Sequence, residues 1–369
     1  MVSALLIAGC GSSSTSGTNP SPSAAAVPTP PAASLVGAGS TFDQPVFNAA
    51  FFAYNQKFSQ VQVNYQGVGS GAGISQYDKG TTDFGASDVP AKYKDLPTLG
   101  GATGTLQLPV VLGTVGLAYN IQGVANGQLK LTPTTICGIV TGKIGKWSDP
   151  AFKADNPSLS LPDAKITWVH RNEGSGTTYI VTDYLTHVCG ADWTLGAAKQ
   201  VTWPTTASGP TVVGAQGNPG VAAAIGTPGG NGGTPNSIGY VELAYIIQTN
   251  MTQATLKNHD GNFVLPSPAG ATAAANAIPN PTPASFSIVD APGKDSAPIS
   301  GYSWVILAKQ QKDATKGKAL VDLLYWFDTS EGQTYATNLK YAPLPAAIQA
   351  SNQDLLKTVT DSTGKVLLG

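Results

Sequence analysis

The sequence predicts an α/β fold of two domains, and two observations lead to this prediction. A chain of 369 residues is too long for one small core, so two domains are the default. Strand-like, glycine-rich and helix-like segments follow one another between Leu35 and Asp88, and again between Ile166 and Thr186. Ligands of such folds bind beyond the carboxyl ends of the strands, so the loops found there are the first candidates for a site.

Hydrophobic periodicity places the elements of the first domain. A strand begins at Leu35, and the helix after it has four aromatic residues at spacings of i, i+4, i+7 and i+11: Phe47, Phe51, Tyr54 and Phe58. This stripe indicates a core face, and we expect Ser40 or Thr41 to cap the helix. Three further elements follow in order: a strand over 61–65, a short helix over about 74–79 and a strand over 83–88.

The remaining segments predict a second domain and a return to the first. The apolar stretch 106–119 is a candidate crossover into the second domain, and 302–308 is a candidate return. We expect the Gly/Pro-rich segment 209–237 to be an extended surface loop. The other predicted elements are a helix within 132–147, a strand at 166–169, and helices at 177–186, 271–277 and 319–327.

Three loops rich in glycine and hydroxyl groups each precede a predicted helix. They are residues 37–42, 67–73 and 171–177. A helix N-terminus exposes unpaired N–H groups and the positive end of the helix dipole, so it favours an anion. Three such ends beside one acid, Asp88, and one base, Arg171, predict a site for a tetrahedral oxyanion.

Composition and charge exclude several classes of function. Lys and Arg number 20 against 21 Asp and Glu, and the net charge of −1 supplies no basic field for nucleic acid or an anionic membrane surface. The three histidines and three cysteines lack metal-ligand spacing, so we expect neither a metal nor a cofactor. No G-x-S-x-G elbow surrounds Ser40, Ser70 or Ser175, which favours a binding protein over a hydrolase.

The N-terminal residues resemble an export and anchoring signal. A short apolar run over residues 2–8 leads into Ile-Ala-Gly-Cys at residues 7–10, and this tetrapeptide resembles the bacterial lipobox with Cys10 as the lipidated residue. The signal region would thus comprise residues 1–9. The run is too short to span a bilayer, so we interpret it as a truncated signal region. Residues 10–34 are uncharged and rich in Ser, Pro, Ala and Gly, a composition that predicts a flexible, lipid-anchored linker.

Export leaves two cysteines, Cys137 and Cys189, in an oxidising compartment. There they either pair as a disulfide or remain two buried thiols, and the sequence leaves both readings open.

Six segments, in this order, resemble the phosphate-binding lipoproteins of the bacterial phosphate-specific ABC transporter. The resemblance extends from about Leu35 to the C-terminus. The matching segments are 37–42 (GAGSTF), 63–71 (VNYQGVGSG), 83–88 (DFGASD), 142–147 (GKIGKW), 171–177 (RNEGSGT) and 238–242 (IGYVE). The chain departs from the family at Glu173, where aspartate is usual, and in segment 207–237, which is longer and richer in glycine.

The resemblance implies a two-lobed periplasmic-binding-protein-like fold of type II. Each lobe would contain a mixed sheet flanked by helices, with the ligand in the interlobe cleft. Lobe I would comprise 35–109 and 300–369, and lobe II 110–299. The implied function is extracytoplasmic binding of inorganic phosphate and its delivery to the permease and ATPase of an ABC importer. We expect a monomer, anchored by lipid to the cell membrane and facing the periplasm or the exterior.

The resemblance also carries over a set of ligand-binding residues. The first lobe would supply hydroxyl or amide donors and one acid: Ser40, Thr41, the backbone amide of Phe42, Ser70 and Asp88. The second lobe would supply Arg171, Ser175, Gly176 and Thr177, with Glu173 as a support for the arginine.

Asp88 is the residue expected to distinguish phosphate from sulfate. Phosphate at neutral pH carries at least one proton, whereas sulfate carries none. An ionised carboxylate only accepts hydrogen bonds, so it would take the proton of phosphate and repel sulfate. Another oxyanion such as sulfate is the alternative ligand. The planar fork of Arg171 suits a tetrahedral anion, and Glu173 can hold that fork in place.

Overall fold

The computed structural model describes residues 28–230 and 232–369. The strands are β1 (Ala33–Gly39), β2 (Val61–Gly67), β3 (Phe84–Ser87), β4 (Thr105–Asn120), β5 (Lys130–Leu131), β6 (Thr167–Arg171), β7 (Thr211–Ala215), β8 (Ser237–Glu242), β9 (Thr252–Gln253), β10 (Thr255–Lys257), β11 (Phe263–Val264), β12 (Ser300–Ala308), β13 (Gln310–Gln311) and β14 (Thr360–Asp361). The helices are α1 (Gln44–Lys57), α2 (Ser70–Asp78), α3 (Gly101–Gly104), α4 (Pro133–Val140), α5 (Pro150–Asp155), α6 (Gly176–Val188), α7 (Gly217–Ile225), α8 (Leu243–Gln248), α9 (Pro268–Ala277), α10 (Ala314–Phe327), α11 (Ser330–Asn338) and α12 (Ala346–Leu356).

One mixed sheet with flanking helices runs through the protein. Its strand order is β2-β1-β3-β12-β4-β8-β6-β7, and β9 joins it on β4. At one end β1 pairs in parallel with β2 and β3, and at the other end β6 pairs in parallel with β7 and β8. The central strands β12 and β4 run antiparallel to their neighbours. This is the α/β fold that the sequence predicted, in the two-lobed type II form that the resemblance implied.

The long strand β4 connects the first half of the sheet, which contains β2, β1, β3 and β12, to the second half, which contains β8, β6 and β7. Its first part, Thr105 to Thr114, pairs with β12, and its last part, Val115 to Asn120, pairs with β8. Every residue of β4 is buried, as the apolar stretch 106–119 predicted. Strand β12 returns the chain to the first half. The predicted division between residues 109 and 110 therefore falls inside a continuous strand, and the exact lobe bounds stay a prediction.

Helix α1 packs its aromatic stripe into the first half of the core. Phe47, Phe51 and Tyr54 are buried, and the rings of Phe47 and Phe51 stack with their centroids 4.8 Å apart. Aromatic pairs at this separation stabilise a core beyond the area that they bury. The stripe is thus a packing face, as the spacing predicted.

The start of α1 differs from the prediction. Its N-cap is Asp43, whose side chain makes no capping bond, so the expectation that Ser40 or Thr41 caps the helix is wrong. Both hydroxyls form longer-range contacts instead, because Ser40 bonds to Asp88 and Thr41 bonds to α7. A local sequence pattern does not show that contacts with distant residues will compete with a capping hydrogen bond.

Segment 209–237 is not one extended surface loop, contrary to the prediction. It contains β7, which pairs in parallel with β6, and helix α7. The helix buries Val221, Ala222 and Ile225 in the second half of the core. Glycine and proline dominate the composition of this segment, so its short apolar face was not recognised from the sequence. That face is nevertheless sufficient to pack a helix of nine residues.

A disulfide joins Cys137 of α4 to Cys189 at the C-terminal end of α6. Their Cα atoms are 5.7 Å apart, which is the separation that a disulfide requires. Of the two readings that the sequence left open, the structure has the paired one. The bridge links residues 52 positions apart, both of them within the segment 110–299 that was expected to form the second lobe.

Most of the N-terminal predictions concern residues that the structure does not describe. Cys10, the signal region 1–9 and linker residues up to 27 lie outside the described residues. The linker was expected to extend to residue 34, but β1 already begins at Ala33. Within the described part of the chain, no helix combines the length and the apolar character needed to cross a membrane.

Candidate ligand-binding site

The three predicted loops meet between the two halves of the sheet. Ser70 begins α2 after β2, and Gly176 begins α6 after β6. The Ser70 hydroxyl accepts a hydrogen bond of 3.1 Å from the Gly176 N–H, and the Gly71 N–H donates to the Gly174 carbonyl at 2.8 Å. These contacts bring residues more than 100 positions apart in the chain to one point, at the carboxyl ends of their strands.

Glycine is required where these loops approach one another. A Cβ added to Gly176 would lie 2.6 Å from the Asp88 Cβ and 2.7 Å from its backbone nitrogen. A Cβ on Gly71 would lie 3.2 Å from the Gly174 Cα, a tight but less severe contact. The glycine-rich composition of the loops therefore allows the close approach of two helix N-termini.

Asp88 is buried and accepts hydrogen bonds from three hydroxyl groups. Ser40 and Ser303 both donate to Oδ1, the latter at 2.9 Å, and Thr177 donates to Oδ2 at 3.2 Å. Burial raises the pKa of Asp88 above its ordinary value, although these hydroxyls and the charge of Arg171 act in the opposite direction. Three donors from three elements thus support the ionised form of a desolvated carboxylate.

Arg171 is buried and is fixed by Glu173. The Nε–H donates to Glu173 Oε1 at 2.7 Å, an Nη2–H donates to the same oxygen, and an Nη1–H donates to Thr177 at 3.3 Å. Glu173 Oε1 also accepts from the Gly217 N–H at 3.1 Å. The guanidinium has five N–H groups, so one on each terminal nitrogen is left for a ligand.

The extra methylene of Glu173, compared with aspartate, is accommodated by the opposing loop. A Cβ on Gly69 would come within 3.1 Å of the Glu173 Cγ, so the longer side chain packs against a glycine.

Three hydroxyl groups keep their own hydrogen available. Thr41 Oγ1 accepts from the Asn218 N–H at 3.1 Å and from its side-chain amide at 3.2 Å. Ser70 accepts from the Asp88 and Gly176 N–H groups, and Ser175 accepts from the Thr178 N–H. Each is thereby oriented as an acceptor, and the described residues offer no protein acceptor for its hydrogen. These hydroxyls can donate to an anion.

The remaining predicted donors are already engaged within the protein. The Phe42 N–H donates to the Ser40 hydroxyl at 2.9 Å, and the Ser175 N–H donates to the Lys199 carbonyl at 2.8 Å. Ser175 is also the N-cap of α6. A ligand would have to share the Phe42 amide with Ser40, so this residue is a weaker candidate than Thr41.

Sequence reasoning missed Asn218, which lies at the centre of the network. This fully buried residue in the first turn of α7 donates to Thr41 and, at 3.3 Å, to Thr177, while its Oδ1 accepts from the Glu242 N–H at 3.0 Å. A signal was present, because Asn218 follows a strand and begins a helix like the three loops that were recognised. It was overlooked because segment 209–237 was interpreted as a surface loop.

Two further carboxyl groups, Asp43 and Glu242, are buried beside the site. Burial raises the pKa of Asp43 well above its ordinary value, and the nearby Asp88 raises it further. Burial also raises the pKa of Glu242 to about 8, against the lowering effect of hydrogen bonds from Ala244 and Tyr341. Neither acid was singled out from the sequence. In residues 28–230 and 232–369, no group of three or more His, Cys, Asp or Glu is placed to hold a metal ion.

A cavity of about 630 Å³ opens beside the site, between segments 89–95 and 197–199. Four charged residues line it: Lys92, Lys94, Asp95 and Lys199. Burial lowers the pKa of Lys199, whose backbone carbonyl contacts Ser175. The excess of lysine gives this opening a positive bias on a chain that is otherwise nearly neutral.

Comparison with known proteins assigns the chain to a family. A family model described as "PBP superfamily domain" matches residues 21–327. The chain is 36% identical to "Phosphate-binding protein PstS" of Xylella fastidiosa over 355 residues, which cover 94% of this chain and 92% of the relative. It is also 36% identical to the protein of the same name from Pasteurella multocida, over 92% of this chain and 94% of the relative.

Solved structures agree on the fold. One is a high-affinity periplasmic phosphate-binding protein solved with phosphate at pH 8.5; it has a TM-score of 0.68 and 22% identity, and the match covers 89% of this chain and 99% of that protein. Another is a phosphate-binding protein from Stenotrophomonas maltophilia, with a TM-score of 0.64, 21% identity and coverage of 88% and 94%. From the extent of these matches, the chain belongs to the PBP superfamily, within the family of the phosphate-binding proteins PstS.

Proposed function

We propose that this protein binds inorganic phosphate outside the cytoplasm and delivers it to an ABC-type importer. The name shared by relatives that match almost the full chain, phosphate-binding protein, supports this ligand. One observation at the site carries the proposal. Hydroxyl and guanidinium hydrogens without a protein acceptor surround a buried carboxylate that only accepts. A partly protonated tetrahedral oxyanion matches both kinds of group.

The donors would come from both halves of the protein. Thr41 and Ser70 of the first half would each donate a hydroxyl hydrogen, and Ser175 of the second half would do the same. Arg171 would add two N–H groups and the main positive charge of the site. The starts of α2 and α6 would contribute their dipoles and N–H groups of their first turns, including that of Thr177. The Gly176 N–H would have to be shared between the ligand and Ser70. Glu173 would reduce the net positive charge of the binding site. The site would then hold the anion less strongly, which favours release of the ligand.

Asp88 would select phosphate over sulfate. It would accept the proton that phosphate retains at neutral pH, whereas sulfate would place an oxygen lone pair against a negative charge. A hydrogen bond to a charged group contributes about 1.5–3 kcal/mol, and a buried charge left unpaired costs more. This difference corresponds to a preference of several orders of magnitude, so we propose phosphate rather than sulfate as the ligand.

The wider setting is also part of the proposal. Residues 35–109 and 300–369 would move as one lobe and 110–299 as the other, with closure on the ligand. Cys10 would carry a lipid that anchors the protein to the cell membrane. The relatives are named as binding proteins, and we propose that this chain likewise binds its ligand as a monomer without catalysing a reaction on it.

Calorimetric titration of the full chain, stripped of bound anion, tests the proposed ligand. Phosphate is expected to bind with one-to-one stoichiometry, and sulfate is expected to give no signal. Thr41→Val should weaken phosphate binding by about 10-fold or more, the equivalent of one hydrogen bond to a charged ligand. Thr358→Val is the matched control, because Thr358 is exposed and lies outside the site. Equal binding of sulfate, or no effect of Thr41→Val, would contradict the proposal.

A further inference from the structure

Ser303 lies between two carboxyl groups, and only one of them contributes to the site described above. Its hydroxyl oxygen is 2.8 Å from Asp43 Oδ2 and 2.9 Å from Asp88 Oδ1. All three residues are buried, with 0–2% of their surface exposed, so water does not screen them. The hydrogen bonds among them must therefore balance within the protein.

A serine hydroxyl has one hydrogen, so it cannot donate to both carboxylates. If both were ionised, one of the two contacts would bring lone pairs together at less than 3 Å. This arrangement is repulsive in a buried site, where electrostatic interactions are strong. The geometry therefore requires one proton on either Asp43 or Asp88, and that carboxyl group donates to the Ser303 oxygen.

The neighbouring hydroxyls show which carboxyl group holds the proton. Thr177 Oγ1 accepts from both Arg171 and Asn218, so its own hydrogen is directed to Asp88 Oδ2. The Ser40 oxygen accepts from the Phe42 N–H, and its hydrogen is directed to Asp88 Oδ1. Asp88 therefore receives donors on both oxygens, as an ionised carboxylate does.

Asp43 is in the opposite situation. Ser303 is the one hydrogen-bond partner that the described residues offer its carboxyl group, and Oδ1 has none. A buried carboxylate with an empty oxygen is costly, whereas a neutral acid that donates through Oδ2 leaves only a carbonyl oxygen unpaired.

We propose that Asp43 is a positioning residue for phosphate binding: it holds a buried proton, donates it to Ser303, and so directs the Ser303 hydroxyl to Asp88. Asp88 then remains the ionised member of this aspartate pair. This inference deepens the proposed function and rests on it for its consequence, although the location of the proton is a property of the protein alone.

The groups that face Asp43 from the packed elements are acids, phenols and one hydroxyl: Asp88, Glu242, Tyr65, Tyr245, Tyr341 and Ser303. The two acids favour its neutral form, whereas the hydrogen bond with Ser303 acts in the opposite direction. The positive charge of Arg171 acts on Asp88. Burial and the negative charge of Asp88 accordingly raise the pKa of Asp43 well above its ordinary value.

The proton on Asp43 matters for an anionic ligand. An ionised Asp43 would place a second negative charge one hydroxyl group away from Asp88, and it would also compete for the Ser303 hydrogen. Both effects would weaken binding of phosphate. Asn at position 43 resembles the protonated acid, because its side-chain N–H₂ can donate to Ser303 in the same way.

Phosphate titration of the wild type and of Asp43→Asn at pH 7 tests the proposal. If Asp43 is neutral, the two dissociation constants agree within threefold. If Asp43 is ionised, the substitution removes a buried negative charge, and phosphate binds at least tenfold more tightly to the variant. The second result would overturn the proposal. Lack of phosphate binding by the wild type would instead refute the proposed function.

Infrared difference spectroscopy without ligand locates the proton independently. Wild type minus Asp43→Asn should show loss of the C=O band of a protonated carboxylic acid, and loss of carboxylate bands instead would overturn the proposal. If Asp43→Asn does not fold, Ser303→Ala serves the same purpose. Removal of the acceptor should shift the acid C=O band, and an unchanged acid region would contradict a proton at this position.

Discussion

Glu242 offers a pH-dependent test of the buried carboxyl groups. Tyr341 lies with its hydroxyl 2.6 Å from the Phe42 carbonyl and 3.2 Å from Glu242 Oε2. The phenol has one hydrogen and the carbonyl only accepts, so with that hydrogen on the shorter contact a protonated Glu242 can donate to the phenol oxygen. Glu242→Gln keeps most of this arrangement, because a side-chain amide can donate to Tyr341, while the Ala244 N–H, which lies 2.9 Å from both carboxyl oxygens, would bond to the amide oxygen alone.

The size of the pH-dependent change in the free energy of unfolding follows from the raised pKa of Glu242. Burial raises this pKa from its ordinary value of 4.5 to about 8. Below pH 4.5 the carboxyl group is protonated in both the folded and unfolded states, so it adds no pH dependence. Between these values the unfolded state releases its proton while the folded state keeps it, and the stability of the wild type falls as pH rises. Over the whole window the loss is about 5 kcal/mol.

Glutamine does not titrate, so the variant should escape this loss. Thermal unfolding of the two proteins should give nearly equal Tm values at pH 4.5 and a growing advantage for Glu242→Gln up to pH 8. Glu331→Gln is the control, because Glu331 is an exposed residue in a surface ion pair with Lys57. A Tm difference that does not change with pH, or a variant less stable than the wild type at pH 8, would refute the reasoning.

Two further predictions follow from the site and the disulfide. Gly176→Ala should reduce phosphate affinity at least 100-fold in calorimetry, because its Cβ would lie 2.6 Å from the Asp88 Cβ. Gly220→Ala is the control and should bind phosphate normally, since the atom nearest to its added Cβ is 3.7 Å away. Equal affinities of the two variants would contradict the close approach of the loops. Cys137→Ser opens a loop of 52 residues, and it should lower the free energy of unfolding by about 4 kcal/mol. Urea denaturation measures that loss, and an unchanged midpoint would argue against a stabilising role for the bridge.

The fold was predictable from the sequence because hydrophobic periodicity reports burial directly. The aromatic stripe of α1 and the apolar run of β4 both define core faces, and each lies where its pattern placed it. Helix α7 was missed since its apolar face consists of three residues in a segment dominated by glycine and proline. Composition averages over such a segment, whereas packing depends on which side chains share a face.

The site was predictable at the level of its loops and less so at the level of its contacts. Loop composition located Asp88 and Arg171, which the structure brings into one network. Asn218, Ser303 and Asp43 were not identified, because their roles depend on neighbours far apart in the chain. Ser303 lies 260 positions from Asp43, and no local pattern records that pairing.

The most direct test of the account is the phosphate-to-sulfate preference of Asp88→Asn. Competition binding would give the ratio of the two dissociation constants for the wild type and for the variant. Asparagine keeps the shape of the side chain, but it removes the charge that accepts the phosphate proton and repels sulfate. The account predicts that the preference for phosphate falls at least 100-fold. An unchanged ratio would show that Asp88 does not select the ligand.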